Sequence, residues 1–575
     1  MKRYKEILVS MASLLLLGGC YDLDRYPYDQ VSSGTFWKTE SQAKQGMMGV
    51  YNVMKSENAF GTVYGLDCLS DIGVGYDDPG YVNVYLGTYT ARTGQIVNRW
   101  QTLYDGVVRA NTVIQNIASV ETTDDIKNQY IAEAKFMRAL YYSTLMNFFG
   151  GVPLYDETLI VDKDFNNMME PRATLETTRN FILADLDAAI ASLPVKWDNS
   201  NYGRATKGAA YALKGKVLLF DKQYAAAAAN FEEIVNDPTG KGYGYALYAS
   251  YEDLFKPTGD QSSEMIFAIQ NSGGVGLDYG MPMTFYMGSR SSFGSCWNNV
   301  MASTDLADMY EYKDGRPFNW NEIVPGFNES ATVKDKTFRA TLSADKKTVV
   351  AYPQSKELLL EMYKQRDPRM NISLILPYTN YKGWVSNARK DCEFVVAVGT
   401  NESNGFIRNN KQWDSYLWRK FVAEYNMDGG INNRAHTPIN FPLIRYADVL
   451  LMLAECYNET GKQAEAVALI NQVRQRPSVN LAALNSGPSW LEARTKEQVF
   501  QRIKQERAVE LAGEGHRFDD LRRWGLLMTL SNKEEYGFTG KRYFTRVVTE
   551  RDYLWPIPAT EIEKNEALTQ NPGWD

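Results

Sequence analysis

Two stretches far apart in the chain repeat one spacing of small and aromatic residues, and that repetition restricts the fold more than any other feature. In AAYALKGKVLLFDKQYAAAAANFEEIVNDP (209–238), Tyr211, Gly215, Ala227 and Phe231 recur at fixed intervals, Tyr224 sits at the turn and Pro238 closes the pair. In VLLMLAECYNETGKQAEAVALINQVRQRP (449–477), Leu453, Tyr457, Gly461 and Ala466 fall in the same frame. Each stretch reads as two short amphipathic helices joined by a tight turn. Such a hairpin has an apolar face that it cannot bury alone, so several must stack.

The spacing is that of the tetratricopeptide pattern. Helical periodicity extends it over two regions, from about Ala43 to Asp237 and from about Arg445 to Leu530. In the first, Ala134, Met137, Ala139, Leu140 and Tyr141 recur at helical spacing until Gly150-Gly151 and Pro153 stop the run. Between the two regions the chain turns rich in Tyr, Trp, Gly, Asn and Ser, with short extended stretches such as SSEMIFAIQ and CEFVVAV. Long irregular segments in a compact protein are functional or disordered, and this aromatic content argues for function. The predicted fold class is mostly α: tetratricopeptide-like helical hairpins (41–238 and 441–575) supporting an irregular loop and short-strand insert (239–440), all in one domain, 41–575.

The N-terminus reads as a targeting signal, residues 1–19. Lys2, Arg3 and Lys5 precede an apolar run from Ile7 to Leu17, and Leu17-Gly18-Gly19-Cys20 places small residues before a cysteine. This is similar to the bacterial lipobox, in which the peptide is cut before a cysteine that is then acylated. Each buried CH₂ contributes about 0.8 kcal/mol and durable anchoring takes more than one chain, so the expectation is a multiply acylated Cys20 on a polar tether, 20–40. Asp22 and Asp24 directly after it resemble a surface-export signal of Bacteroidetes lipoproteins. Cys68, Cys296, Cys392 and Cys456 form no CxxC pair, which makes a zinc cage unexpected and leaves any disulfide pairing open.

The stretch SDIGVGYDDPGYVNVYLGTYT (70–90) sets tyrosines among turn residues rather than aliphatics. Rigid aromatic rings beside Asp and Asn suit a ligand with an apolar face and hydroxyl edges. Tyr76 belongs to this set. If YVNVY is a strand, Tyr81, Asn83 and Tyr85 share its wet face. A second aromatic contribution is expected from GLDYGMPMTFYMGSRSSFGSCWNNV (276–300), with Trp297 beside Asn298 as the leading platform and Tyr279, Tyr286 and Phe293 behind it. Trp384, Trp413, Tyr416 and Trp418 are further exposed-aromatic candidates.

Several long segments carry a family resemblance: SGTFWKTESQAKQGMMGVYNVM, RWQTLYDGVVRANTVIQNI, FPLIRYADVLLMLAE, ERAVELAGEGHRFDDLRRWG and YLWPIPATEIEKNEALTQNPGW. Their order resembles the SusD/RagB family of Bacteroidetes outer-membrane lipoproteins, over the whole chain after the signal. One departure is Gly513, where the family has a bulky apolar residue. The resemblance implies four tetratricopeptide-like hairpins under an irregular glycan-binding face, with Asp67 and Asp71 at its rim. It makes the charged residues around Trp524 structural ties. It also implies a role: a lipid-anchored protein on the outer face of the outer membrane, capturing oligosaccharides or polysaccharide for import by a SusC-like TonB-dependent transporter.

Other classes fit less well. The formal net charge of −7 gives no basic footprint for nucleic acid. His436 and His516 are the sole histidines, which disfavours a histidine metal site or triad. No EF-hand or phosphate-loop spacing appears, so neither metal nor cofactor is expected. A tetratricopeptide scaffold for protein partners alone leaves the aromatic insert unexplained. A glycoside hydrolase needs a carboxylate pair, which a chain with so many acids always offers somewhere, so composition leaves that class open. The expectation is a binding protein rather than an enzyme.

Overall fold

The computed structural model describes residues 36–574, apart from 161–163, 165–167, 275 and 412. The signal segment, Cys20, Asp22 and Asp24 lie outside the described residues. The helical scaffold begins with α1 (Glu40–Asn52), α2 (Gly94–Asn116), α3 (Asp124–Phe149), α4 (Leu175–Ser192), α5 (Lys207–Phe220) and α6 (Tyr224–Val235). It resumes with α7 (Tyr446–Glu459), α8 (Gln463–Arg474), α9 (Lys496–Glu510) and α10 (Arg517–Arg523). Threonines start five of them: the side chains of Thr39, Thr123, Thr174, Thr206 and Thr495 each accept a backbone N–H of the first turn. The helix α3 stops where the sequence says, with Gly150 at φ 77 after Phe149.

The helices pack in chain order, each from α2 to α6 on the next, then α6 on α7 and α7 on both α8 and α9. The first and last thirds of the chain are thereby one stack. Glycine marks the tightest crossings. A Cβ on Gly215 of α5 would lie 2.4 Å from the Phe231 ring of α6, and one on Gly106 of α2 would lie 2.5 Å from the Tyr141 ring of α3. A mid-helix glycine costs about 1 kcal/mol against alanine, and here it lets a ring lie directly on a helix backbone. The mostly α architecture with tetratricopeptide-like hairpins is therefore as the spacing indicates.

Charged residues of α9 and α10 do not form a solvated ladder. Arg445 meets Glu264, Glu510 and Glu514, each at 2.8 Å, and Arg369 meets Asp367, Glu506 and Glu510 at 2.6–2.8 Å, all fully buried. Arg523 pairs with Glu455 of α7 and with Asp520. Trp524 donates its indole N–H to Glu455. Removing one partner from such a group leaves an uncompensated buried charge, a loss of about 3–5 kcal/mol. These pairs tie the closing helices to the hairpins and to the insert.

The strands, most of them in the insert or paired with it, are short and paired in twos. Three antiparallel pairs matter: β1 (Gly73–Gly75) with β3 (Val300–Ala302), β2 (Met265–Ile269) with β6 (Phe441–Arg445), and the hairpin β4 (Asn380–Val385) with β5 (Ala388–Glu393). SSEMIFAIQ thus supplies a strand, whereas CEFVVAV leaves the ladder after Glu393. The pairing of β1 with β3 sets the tyrosine-rich stretch against the 276–300 loop. Cys68, Cys296, Cys392 and Cys456 are all buried and unpaired.

Candidate functional site

The tyrosine stretch folds inward. YVNVY is a helical turn, Val82–Tyr85, entered through Tyr81 in the left-handed region at φ 55. A turn with a 3.6-residue period cannot put Tyr81, Asn83 and Tyr85 on one face, so the strand expectation fails. Tyr81 is buried, and its hydroxyl accepts from Arg99 at 2.8 Å. Tyr85 is buried too, stacked on Phe544 at 4.4 Å, and its hydroxyl donates to the Gly75 carbonyl. Asn83 alone of the three is exposed.

The two aspartates expected at the rim are core residues. Asp71 is clasped by Arg517 through two N···O contacts of 2.8 Å. Asp67 accepts the Gly513 N–H at 2.8 Å, and burial pushes its carboxyl up to about 7. Gly513, the departure noted in the sequence, stands at φ 81 with Trp418 3.3 Å from where its Cβ would be, so a bulky residue has neither the backbone nor the room. Asn298 is likewise buried, accepting from the Asn410 N–H at 2.7 Å. Tyr416 and Trp418 belong to the core, while Trp413 is half-buried and stacked on Tyr543 at 4.6 Å. Trp384 is half-buried against Phe293.

Of the aromatics singled out from the sequence, the exposed ones are Tyr279 and Trp297, both in the 276–300 segment. A short helix, Met283–Met287, buries Met283, Thr284 and Met287 and leaves Phe285 and Tyr286 half-exposed. Thr284 pins it, its N–H donating to Thr437 Oγ1 at 2.8 Å and its Oγ1 accepting from Ala423 at 3.0 Å. The loop that follows is closed by its own buried serines: Ser289 N–H donates to Ser292 Oγ, and the Ser289 carbonyl accepts from Ser292 and Cys296. The serine content therefore builds the loop rather than a polar surface.

Trp297 crowns this loop. Its N–H donates to the Phe285 carbonyl at 2.9 Å, and its own carbonyl accepts from the Tyr76 hydroxyl. The indole is 40% exposed and lies 4.7 Å from the Phe285 ring at 49°. Arg434 covers the pair, with Cζ 4.3 Å from the Phe285 centroid and 5.7 Å from that of Trp297. Tyr76 is itself buried, edge-on to Trp413. Tyr279 is 61% exposed. Lys55 donates to its carbonyl, and Glu57, two residues on, accepts from the Tyr286 hydroxyl at 3.2 Å, which sets the two tyrosines along one edge. Burial and Glu57 push the Tyr286 phenol up to about 12, so it is a hydrogen-bonding hydroxyl at neutral pH.

The arrangement is a rigid, half-wet aromatic platform edged by hydroxyls, amides and guanidinium. It offers dispersion contact to an apolar ring face and hydrogen bonds to the ring's periphery. Phe285 and Arg434 were not singled out from the sequence. Phe285 looks like one more apolar residue before Tyr286, and nothing local links Arg434 to a ring 149 positions earlier. Among the described residues no three His, Cys, Asp or Glu side chains gather as a metal would require.

Comparison with known proteins gives the same architecture a context. The model described as the SusD family matches residues 263–574, and one described as starch-binding associating with outer membrane matches 23–219. Two SusD-like proteins of Formosa agariphila are 25% identical over 97% of both chains and 26% identical over 100% of both. The starch-binding protein SusD of Bacteroides thetaiotaomicron is 22% identical over 77% of this chain and 72% of its own. Among solved structures, a SusD-like protein of Bacteroides fragilis superposes with a TM-score of 0.74 at 23% identity, over 96% of this chain and 100% of that one. A laminarin-binding SusD-like protein superposes at 0.65 and 24% identity, over 93% and 100%. These structural likenesses bear on the fold.

Proposed function

This chain belongs to the SusD family, and from that premise we propose that it is a glycan-binding protein of the outer membrane that holds oligosaccharide on the Trp297 platform. The observation that carries the reading is the Trp297–Phe285–Arg434 stack: a large exposed ring held in place by two backbone hydrogen bonds, beside exposed Tyr279 and half-exposed Tyr286. Preorganised rings lose little entropy on binding, so such a platform suits a ligand that gives few contacts per sugar. The starch and laminarin named for relatives fall in the same ligand class. The platform sits on loops carried by a rigid helical stack, the usual division between recognition and scaffold.

The rest of the reading completes the role. Cys20 is the site of lipid attachment, and the anchored protein faces the cell exterior and delivers its glycan to a SusC-like TonB-dependent transporter for import. It binds and hands over its ligand without cleaving it. Asn83 and Tyr76 serve as peripheral residues, Tyr76 by bracing Trp297 from behind.

Titration calorimetry of residues 21–575 against a polysaccharide panel, with Trp297→Ala in parallel, tests the reading. Saturable heat that the variant loses, with no released product, supports it. Product release would turn the assignment to hydrolysis, and binding indifferent to Trp297 would move the site elsewhere. Labelled-palmitate incorporation that Cys20→Ser abolishes tests the anchor separately.

A further inference from the structure

Two arginines beside the platform meet no carboxylate among the described residues. Arg369, Arg445, Arg517 and Arg523 each meet one or more carboxylates. Arg434 donates instead to the carbonyls of Gly294 at 2.8 Å and Ser295 at 2.6 Å. Arg290 donates through Nη1 to the same Ser295 carbonyl at 3.3 Å, and its Nε, at 3.1 Å, and Nη2 both donate to Asn410 Oδ1. Two guanidinium groups thus share one neutral oxygen, and among the described residues neither forms an ion pair. Both charges also oppose the rise that burial imposes on the Cys296 thiol, in keeping with the Ser295 carbonyl they share.

A third cation joins them. Lys411 is exposed, and its ammonium lies 4.8 Å from the ring centroid of Tyr76, whose hydroxyl braces Trp297. It forms no ion pair among the described residues, and Asp77, the exposed acid next to Tyr76, pairs with none of the three. The chain as a whole carries a net charge of −7, so solubility does not account for three uncompensated cations gathered here. Neutral acceptors orient a guanidinium without neutralising it. At Arg434 they engage Nη1 alone and leave Nε and Nη2 without a protein partner among the described residues. That edge takes a planar or tetrahedral anion by paired, charge-assisted hydrogen bonds, while Arg290, its Nε–Nη2 edge held by Asn410, adds its charge beside it.

We infer that the ligand of the Trp297 platform is an acidic glycan, with a sugar carboxylate or sulfate group received by the Arg434 fork beside the Arg290 charge while a ring stacks on the indole. The inference rests on the platform being the glycan site. Carboxylate and sulfate share the chemistry that this fork recognises, and the probes below separate them.

The test is calorimetry of residues 21–575 with two matched pairs: polygalacturonate against its methyl ester, and carrageenan against desulfated carrageenan. At roughly 0.15 M salt, where exposed charges more than about 8 Å apart are screened, the acidic member of one pair should bind about tenfold tighter than its neutral partner. The responding pair identifies the anion. Arg290→Gln with Arg434→Gln should erase that difference, Arg434→Lys should keep part of it, and unchanged melting temperatures would show that the variants fold. Trp297→Ala should weaken both members. Equal binding of acidic and neutral members, untouched by the Gln variants yet lost in Trp297→Ala, overturns the acidic class and leaves the platform. Binding that Trp297→Ala does not change overturns the platform and this inference with it. Silence with both acidic glycans, or equal binding of polyacrylate, overturns the inference alone.

Discussion

Arg517 and Asp71 stand 446 positions apart in the chain and meet in a buried two-pronged ion pair, both contacts at 2.8 Å. The aspartate that the family resemblance places at a binding rim is instead a clamp between the first irregular segment and the closing helix α10. Asp71→Asn leaves Arg517 charged and half-satisfied, an expected loss of about 3–5 kcal/mol. Chemical denaturation should show that loss, while glycan affinity measured well below the transition should stay at the level of the unaltered protein.

Trp297 and Tyr85 offer the opposite pair of outcomes. Trp297→Ala removes a ring that is 40% exposed and should cost affinity with little change in melting temperature. Tyr85→Ala empties a core position stacked on Phe544, and aromatic truncation in a core costs about 3–5 kcal/mol. Calorimetry and thermal melting of both variants should therefore separate cleanly, each moving one readout.

Asp67 makes stability depend on pH. Its folded pKa is about 7 against the ordinary 3.8, with burial as the main cause, so the folded state favours the protonated acid. That contribution is fully present below the ordinary value and is lost as pH rises through about 7. Asp67→Asn keeps an acceptor for the Gly513 N–H and cannot ionise. The variant should match the unaltered protein near pH 4 and exceed it in melting temperature at pH 8. Identical profiles at both pH values would mean that Lys420 already offsets the buried carboxylate, since Lys420 lowers the Asp67 pKa.

Gly215→Ala tests the hairpin directly. The added methyl would sit 2.4 Å from the Phe231 ring, and overpacking of this kind costs about 1–3 kcal/mol even though alanine is the better helix former. Phe231→Leu combined with Gly215→Ala should recover part of the loss in a denaturant melt, since the smaller side chain admits the methyl.

The helical stack was legible because its signal is local: Gly215 and Phe231 sit 16 positions apart, and their spacing reports their contact. The platform was half legible. Trp297 in a Gly- and Ser-rich loop stands out by size, whereas Arg434 reaches it by a fold that no window of sequence contains. The tyrosines misled for a physical reason. Tyr81 and Tyr85 look wet among turn residues, yet buried carbonyls and Arg99 satisfy their hydroxyls. An aromatic with a polar tip serves a core as readily as a surface. Asp67 and Asp71 misled likewise, because their partners Gly513 and Arg517 lie at the far end of the chain.

The four buried thiols have a consequence for how this body comes apart. With Cys68, Cys296, Cys392 and Cys456 unlinked and enclosed, noncovalent contacts alone hold the described residues together, and a reductant has nothing to cut. Burial also pushes the thiols of Cys68 and Cys296 up to about 12, which keeps them unreactive while the fold is closed. A thiol reagent therefore modifies each one at the rate at which its surroundings open. Cys456 then clocks the hairpin stack and Cys296 the loop beneath Trp297, two independent timers of local unfolding within one chain.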